Sequence, residues 1–351
     1  MQLFLESFTV NKRVALTISR GTTAQSTNVW LRLRHDDIEG WGEASPFAVG
    51  QRQTSQTAIA ALTRLMPSLA DLSPFDTQEI QQRSRGIPSA ARAALDMALY
   101  DWQGKALKVP LWKLWGGDRD RIVPTSFTIG ISTPEKAQAR LRLWKEQVSS
   151  SNLRAVKIKL GSPEGITADQ AMFEAVQDVV PDGASISVDA NGGWTCSDAL
   201  AMAHWLADRG VVHLEQPLAH GQEDELPQLY ERSPLPIMAD ESCFTSRAVP
   251  LLANRVHGIN IKLMKSGGLS EALRMVHTAQ AHGLKIMLGC YSDSALSNTA
   301  AAQLAPFADY LDLDSHLNLI DDPFTGAALN AGRPWPNDAP GLGVRRTNAE
   351  A

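Results

Sequence analysis

The sequence predicts an α/β protein in which a barrel of eight strand–helix units follows a smaller α+β unit. Three observations carry that reading. From Pro124 onward, short β-type runs alternate with helical stretches, at about 22 to 30 residues per unit. Five consecutive runs end in an ionisable residue. No G-x-G-x-x-G turn accompanies them, which weighs against an open, doubly wound sheet, the other architecture that alternates strand and helix.

The first 120 residues read differently. Apolar and polar residues alternate through Leu3, Leu5, Phe8 and Val10, and strand-like runs follow at Leu16–Ser19, Val29–Arg34 and Gly40–Gly42. A helix is expected over Ser89–Lys105, with Ser89 as N-cap and Leu95, Leu99 and Trp102 on one stripe. Leu114-Trp-Gly-Gly-Asp118 breaks the helical pattern. The barrel runs are Thr125–Gly130, Ala155–Leu160, Ala184–Asp189, Val211–Glu215, Ile237–Asp240, Gly258–Lys262, Lys285–Leu288 and Tyr310–Leu313.

Composition excludes several classes. The chain has 351 residues, 44% hydrophobic and 20% charged, with a net charge of −5 and no long run of either sign. A chain of this length builds a large core without staples. Nucleic acid is a poor partner, because phosphate binding needs a basic stripe. Three cysteines make no disulfide framework and suit a reduced, cytoplasmic protein. The first residues lack the pattern of a signal peptide, and no apolar run approaches a membrane span.

Strand residues alternate faces. Lys157 and Lys159 therefore share a face, as do Ser187 and Asp189, Asn260 and Lys262, and Asp312 and Asp314. The outer face of a barrel strand packs on helices, so the polar set points inward and its last member reaches the C-terminal mouth. Burying such residues is costly unless they pair or bind a metal. Structural ion pairs explain one such strand better than five in succession.

Asp189, Glu215 and Asp240 are 26 and then 25 residues apart, one strand–helix unit each time. Three converging carboxylates repel unless a cation lies between them. An oxygen-only set suits Mg²⁺, with Mn²⁺ as a substitute. The bland alternative is three unrelated helix caps, against which the even spacing counts.

Lys159 closes the second strand and Lys262 the sixth, on opposite sides of an eight-stranded mouth. A substrate between them meets one amine on each face of its reacting carbon, which permits a 1,1-proton transfer that inverts a stereocentre. The metal's task is to stabilise charge on a carboxylate whose α-proton leaves. Lys157 is expected to lower the pKa of Lys159 as a like charge, and to bind a substrate carboxylate oxygen. Lys265 is expected to be a solvated loop residue.

Lys157-Ile-Lys159, Val188-Asp-Ala-Asn-Gly-Gly-Trp194, Leu214-Glu-Gln-Pro217, Ala239-Asp-Glu-Ser242 and Asn260-Ile-Lys-Leu-Met-Lys-Ser-Gly-Gly268 resemble, in order and spacing, the muconate-lactonising subgroup of the enolase superfamily. Arg92–Asp101 and Trp115-Gly-Gly117 are similar to that family's capping-domain helix and its exit. The resemblance spans nearly the whole chain. It implies a (β/α)7β modified TIM barrel over 121–319 and an α+β capping domain over 1–120, joined by the segment 320–351. It implies Asp189, Glu215 and Asp240 as Mg²⁺ ligands, with Lys159 and Lys262 as the two acid/bases. A homo-oligomer is also implied.

Within the subgroup, Asp312-Leu-Asp314 resembles the D-x-D of dipeptide epimerases, which implies recognition of a free α-ammonium. Thr125-Ser-Phe-Thr-Ile129 is similar to their first barrel strand, where the residue matching Thr128 touches substrate. Arg20 lies in Ile18–Thr23, a segment that resembles the capping loop over the substrate's distal side chain, and an arginine there can grip a Glu carboxylate. Pro46–Gly50 is similar to the second capping loop. Gly289-Cys-Tyr-Ser-Asp-Ser294 departs from the pattern, since relatives often carry Glu near Asp293. Cys290 reads as a small residue lining the site, because no His is placed to activate it.

The expected activity is a Mg²⁺-dependent dipeptide epimerase, acting through an enediolate on L-Ala-D/L-Glu or a near analogue. The alternative is a lyase or cycloisomerase on the same scaffold, such as o-succinylbenzoate synthase or muconate cycloisomerase, whose substrates lack an ammonium. A non-catalytic binding protein is a third class, against which the full set of inward residues argues.

Overall fold

The computed structural model describes residues 1–50 and 52–347. The last four residues of the expected segment 320–351 lie outside them.

The chain opens with β1 (Gln2–Ile18), β2 (Gly21–His35) and β3 (Ile38–Ala44), a three-stranded antiparallel sheet in that order. The strands are longer than the separate runs expected from sequence, because polar positions such as Glu6 and Thr27 face solvent while their neighbours pair across the hairpin. Three helices follow: α1 (Ser55–Leu69), α2 (Thr77–Arg83) and α3 (Ser89–Leu107). Helix α3 is buried almost all round by Ala90, Ala91, Ala93, Ala94, Met97 and Ala98 rather than along one stripe. Those small side chains let β3 lie against it: a Cβ at Gly42 would fall 1.9 Å from the Ala94 carbonyl oxygen. Ser89 is the first helical residue and not the N-cap; Gln53 supplies the cap, its Oε1 accepting from Ala90 N at 3.0 Å.

Eight parallel strands form the second unit: β4 (Phe127–Ile129), β5 (Ala155–Lys159), β6 (Ser185–Asp189), β7 (Val211–Glu215), β8 (Ile237–Ala239), β9 (Gly258–Lys262), β10 (Lys285–Gly289) and β11 (Tyr310–Asp312). They pair in chain order, and a bridge from Thr125 to Leu311 brings the first beside the last. Helices connect successive strands, and β11 is followed by a single 3₁₀ turn at Ser315–Asn318. The barrel is therefore (β/α)7β. Val156, Ile158, Val188, Leu214, Ile259 and Ile261 are buried on the outward face against the helix layer. Inward positions carry the polar set.

The chain then returns to the first unit. Phe324 is wedged edge-on between Trp30 and Trp41, 5.3 Å from each ring centroid. Phe324–Thr325 pairs with Arg345–Arg346. Asp101 of α3 accepts from Trp41 N at 2.9 Å and Leu342 N at 2.8 Å, and pairs with Lys105 at 2.7 Å. One buried carboxylate thus joins sheet, helix and returning tail.

Candidate active site

Strand register sets the mouth. Lys159, Asp189 and Glu215 pair directly across β5, β6 and β7. Glu215 pairs with Met238, and Asp240 lies two residues further on the same face. Lys262 ends β9, four strands from β5. A Cβ at Gly289, opposite Lys262, would come 2.7 Å from Asn260 Oδ1 and 3.0 Å from Lys262 Cε, so the glycine keeps room for that lysine.

Each carboxylate has one oxygen anchored from behind. Asp189 Oδ1 accepts from Asn191 N at 2.7 Å, and Glu215 Oε1 from Asn260 Nδ2 at 2.6 Å. Asp240 Oδ1 accepts from Lys265 Nζ at 2.5 Å. The opposite oxygens face the lysines that line the mouth. Asp189 Oδ2 is 2.5 Å from Lys159 Nζ and 3.5 Å from Lys157 Nζ. Glu215 Oε2 is 2.5 Å from Lys157 Nζ, without the alignment of a hydrogen bond. Asp240 Oδ2 is 2.7 Å from Lys262 Nζ.

The electrostatics follow. Burial alone would raise Asp240, but Lys262 and Lys265 hold it far below the usual carboxylate range. Asp189 is lowered in the same way, chiefly by Lys159 and Lys157 acting against burial. Burial, then Asp189, push Glu215 up to about 7. Burial works against the Lys262 ammonium, but Asp240 holds its pKa well above the ordinary value. His213, two residues below Glu215, is pushed down to about 3 by burial and Lys157, so it is a neutral packing residue.

Among the described residues, no three His, Cys, Asp or Glu side chains are drawn up as a ready metal cluster. The donor chemistry nevertheless fits a hard dication. Asp189, Glu215 and Asp240 are fully buried and each has one oxygen fixed by a neighbour. Each presents its other oxygen to positive charge, which here is ammonium.

One expectation about the lysines is corrected. Lys265 is no solvated loop residue: it is 1% exposed, and its Nζ also donates to the carbonyl oxygens of Asp240 at 2.5 Å and Asn260 at 2.9 Å. Lys157 is a charged neighbour of Lys159, and its own charge is answered by carboxylates. Burial opposes its ammonium, but Asp312, Glu215 and Asp189 outweigh burial and keep it charged.

On the far side of the mouth, Asp312 Oδ2 lies 2.7 Å from Lys157 Nζ, and its Oδ1 accepts from Ser126 Oγ at 2.8 Å. The Thr128 hydroxyl reaches that same oxygen at 3.3 Å, and Thr128 N donates to Asp314 Oδ2 at 2.7 Å. Asp314 is pushed up to about 6, by burial and then by Asp312. Cys290 Sγ donates to the Asp312 carbonyl oxygen at 3.2 Å, and burial raises its thiol strongly, as befits an inert lining residue. A cavity of about 840 Å³ runs outward from Lys159, Asp312 and Asp314 beneath β1.

Arg20 does not stand free over the mouth. Its Nη2 donates to Glu241 Oε1 at 2.6 Å and its Nη1 to the Asn191 carbonyl oxygen at 2.7 Å. Asp293 is buried and faces Glu43 from β3 rather than open solvent. Tyr291 stacks on Phe47 of the second capping loop, 4.7 Å between centroids, and lies under the Lys262 ammonium at 4.7 Å.

Sequence reasoning missed Asn191, Glu241 and Lys265 as site residues. Asn191 carries a visible signal, since Asp-x-Asn at a strand end forms a local side-chain turn. Glu241 and Lys265 each lie beside a recognised residue, but their roles depend on long-range partners.

Fold and mouth together define a protein of the enolase superfamily, and comparison places the chain there. Residues 138–350 match the enolase C-terminal domain-like family, and residues 4–116 match the mandelate racemase/muconate lactonizing enzyme N-terminal domain. The chain belongs to this family. More particularly, it is 44% identical to a hydrophobic dipeptide epimerase of Roseobacter litoralis, over 95% of this chain and 96% of that one. The substrate-liganded L-Ala-D/L-Glu epimerase of Bacillus subtilis superposes with a TM-score of 0.91 at 28% identity, covering 98% of both chains. The dipeptide epimerase of Enterococcus faecalis V583 complexed with Mg and L-Leu-L-Tyr gives 0.90 at 30% identity, covering 98% of this chain and 99% of that one.

Proposed function

We propose that this chain is a Mg²⁺-dependent dipeptide epimerase that inverts the α-carbon of the dipeptide's C-terminal residue. The observation that carries this is the placement of Lys159 and Lys262 four strands apart, with the carboxylates of β6, β7 and the end of β8 between them. Asp189, Glu215 and Asp240 would hold a magnesium ion, which when bound would supply positive charge to stabilise the substrate carboxylate on loss of the α-proton. Mn²⁺ is the expected substitute, as it takes the same oxygen set. Lys159 in its neutral form takes the proton from one face, and the Lys262 ammonium returns one to the other. The opposite stereoisomer uses the same pair in reverse. Asp314 accepts the substrate's α-ammonium, with Asp312 oriented by Lys157 and Ser126 beside it. Residues 1–120 and the returning segment act as the cap that excludes water.

The C-terminal side chain in this reading is apolar. Arg20 is already engaged by Glu241, and Phe47, Tyr291 and Phe244 form an aromatic wall near Lys262. L-Ala-L-Glu stays in the test as the charged comparison. Three free cysteines support a reducing, cytoplasmic location. A homo-oligomer belongs to the same reading as a family expectation.

The test is incubation in D₂O with Mg²⁺ and L-Ala-L-Leu, L-Ala-L-Phe or L-Ala-L-Glu, followed by NMR. Deuterium at the C-terminal α-carbon and appearance of the diastereomer are expected, and chelation of the metal should stop both. No exchange with any dipeptide would sink the proposal. One observation favours the lyase or cycloisomerase reading: Lys157 already neutralises Asp312, which halves the charge facing an ammonium. Turnover of a purely anionic acid would support it.

A further inference from the structure

The cavity beside Asp314 is roofed by a stretch of the cap that the reaction itself does not use. In β1 the pairing with β2 slips between Asn11 and Leu16, and the strand bends toward the barrel there. Lys12, Val14, Ala15, Leu16 and Thr17 then line the cavity. This roof is fixed. Lys12 bridges to Leu319, Asn318 Oδ1 accepts from Val14 N at 3.2 Å, and Asn318 Nδ2 donates to the Val14 carbonyl oxygen at 2.8 Å.

Two cations stand at that end. Arg140, 8% exposed, donates to Asn318 Oδ1 at 2.9 Å and lies over Trp144. Lys12 is half-buried, lies within electrostatic reach of Cys290, Asp314, Asp293 and Arg140, and makes no ion pair among the described residues. Asp293 offsets Lys12 in part but does not line the cavity, and the remaining acids there are engaged or balanced. Asp312 is taken by Lys157, and Asp169 accepts from Gly161 N, Ser162 N and Trp194 Nε1. Lys136 and Glu164 are both exposed at the rim, with opposite signs.

We propose that Lys12 is a specificity-determining residue for the N-terminal position of the dipeptide, rejecting cationic side chains there and admitting neutral and acidic ones. This rests on the dipeptide reading above. With the α-ammonium on Asp314, the first residue's side chain enters the cavity under Val14 and Leu16 and ends beside Lys12 and Arg140. A lysine or arginine side chain there meets like charge in a partly desolvated site, which is discrimination by repulsion. A glutamine or glutamate side chain meets two donors.

The experiment measures kcat/KM for deuterium exchange at the leucine α-carbon of L-Ala-, L-Gln-, L-Glu- and L-Lys-L-Leu, with Mg²⁺ in D₂O. The wild type should prefer the Gln and Glu peptides to the Lys peptide by about tenfold or more. K12E should reverse the Glu-to-Lys order, and K12M should narrow it. Equal handling of the Glu and Lys peptides by the wild type, or an unchanged ratio in K12E, overturns the inference while leaving the epimerase reading intact. Absence of exchange with every peptide, L-Ala-L-Leu included, overturns the epimerase reading and this inference with it.

Discussion

Lys157 Nζ lies 2.7 Å from Asp312 Oδ2, an ion pair that joins β5 to β11 across the end of β4. The two aspartates of Asp312-Leu-Asp314 are thereby made unequal. Asp312 stays charged with its charge answered, while among the described residues Asp314 has only Thr128 as a close donor. Asp314→Asn should therefore raise KM for free-amine dipeptides about 10- to 100-fold, the range of one hydrogen bond to a charged group, with kcat nearly unchanged. Steady-state kinetics on L-Ala-L-Leu checks this; a fall confined to kcat would place Asp314 in the proton chemistry instead.

Replacing either Lys159 or Lys262 by Met should cut interconversion by about 10²- to 10⁴-fold, the usual worth of a positioned acid or base. The lysine that remains should still exchange the α-proton of one stereoisomer. NMR in D₂O on the separate L,L and L,D dipeptides should therefore show opposite stereoisomers exchanging in the two variants.

Arg20→Met should destabilise the protein by about 1–3 kcal/mol, because it takes the close guanidinium donor from Glu241, which is 3% exposed. The ratio of activity on L-Ala-L-Glu to that on L-Ala-L-Leu should not move. A selective loss of the Glu substrate would show that the guanidinium leaves Glu241 to hold a substrate carboxylate.

Lys265→Met should destabilise the protein by about 3–5 kcal/mol, since it leaves the buried Asp240 with only Lys262 as counter-charge. Urea unfolding measures that cost. Mg²⁺ affinity by calorimetry should fall about 10- to 100-fold, because Lys265 orients Asp240 from behind. Normal affinity in a folded variant would make the lysine a packing residue only.

Glu43 and Asp293 join cap to barrel and should confer a pH dependence on stability. Burial and Asp293 push Glu43 up to about 8, and burial pushes Asp293 up to about 6. Ser294 and Asn28 face Glu43, while Ser45, Lys262 and Lys12 face Asp293, and these pull the other way. Both native values lie above the unfolded ones. The stabilisation is therefore complete below about pH 4 and is lost as pH rises toward 8. Thermal melts should show stability falling from pH 5 to 8.5, with a shallower slope in Glu43→Gln. An equal slope in both would remove the pair as the cause.

Much of the site was legible because barrel strands repeat. Lys159, Asp189, Glu215 and Lys262 could be placed by counting, since period-two alternation and the strand–helix spacing both act along the chain. What could not be counted was pairing between distant elements. Lys265 sits three residues past Lys262 in a Gly-rich stretch and reads as exposed; only its approach to Asp240 buries it. Arg20 likewise reads as available until Glu241, 221 residues away, is brought beside it. In the cap, α3 reads as one apolar stripe, yet β3 and the barrel cover it on several sides because alanine lets them approach.

Asp101 has a consequence for how the enzyme is made. It binds Trp41, which is synthesised before it, and Leu342, which leaves the ribosome 241 residues later. The cap's sheet and helix can therefore form early, but the contact that seals tail to helix must await nearly the whole barrel. The same order makes this seam a natural first point of local opening. Hydrogen exchange at the Leu342 amide should report cap release before the barrel strands give way.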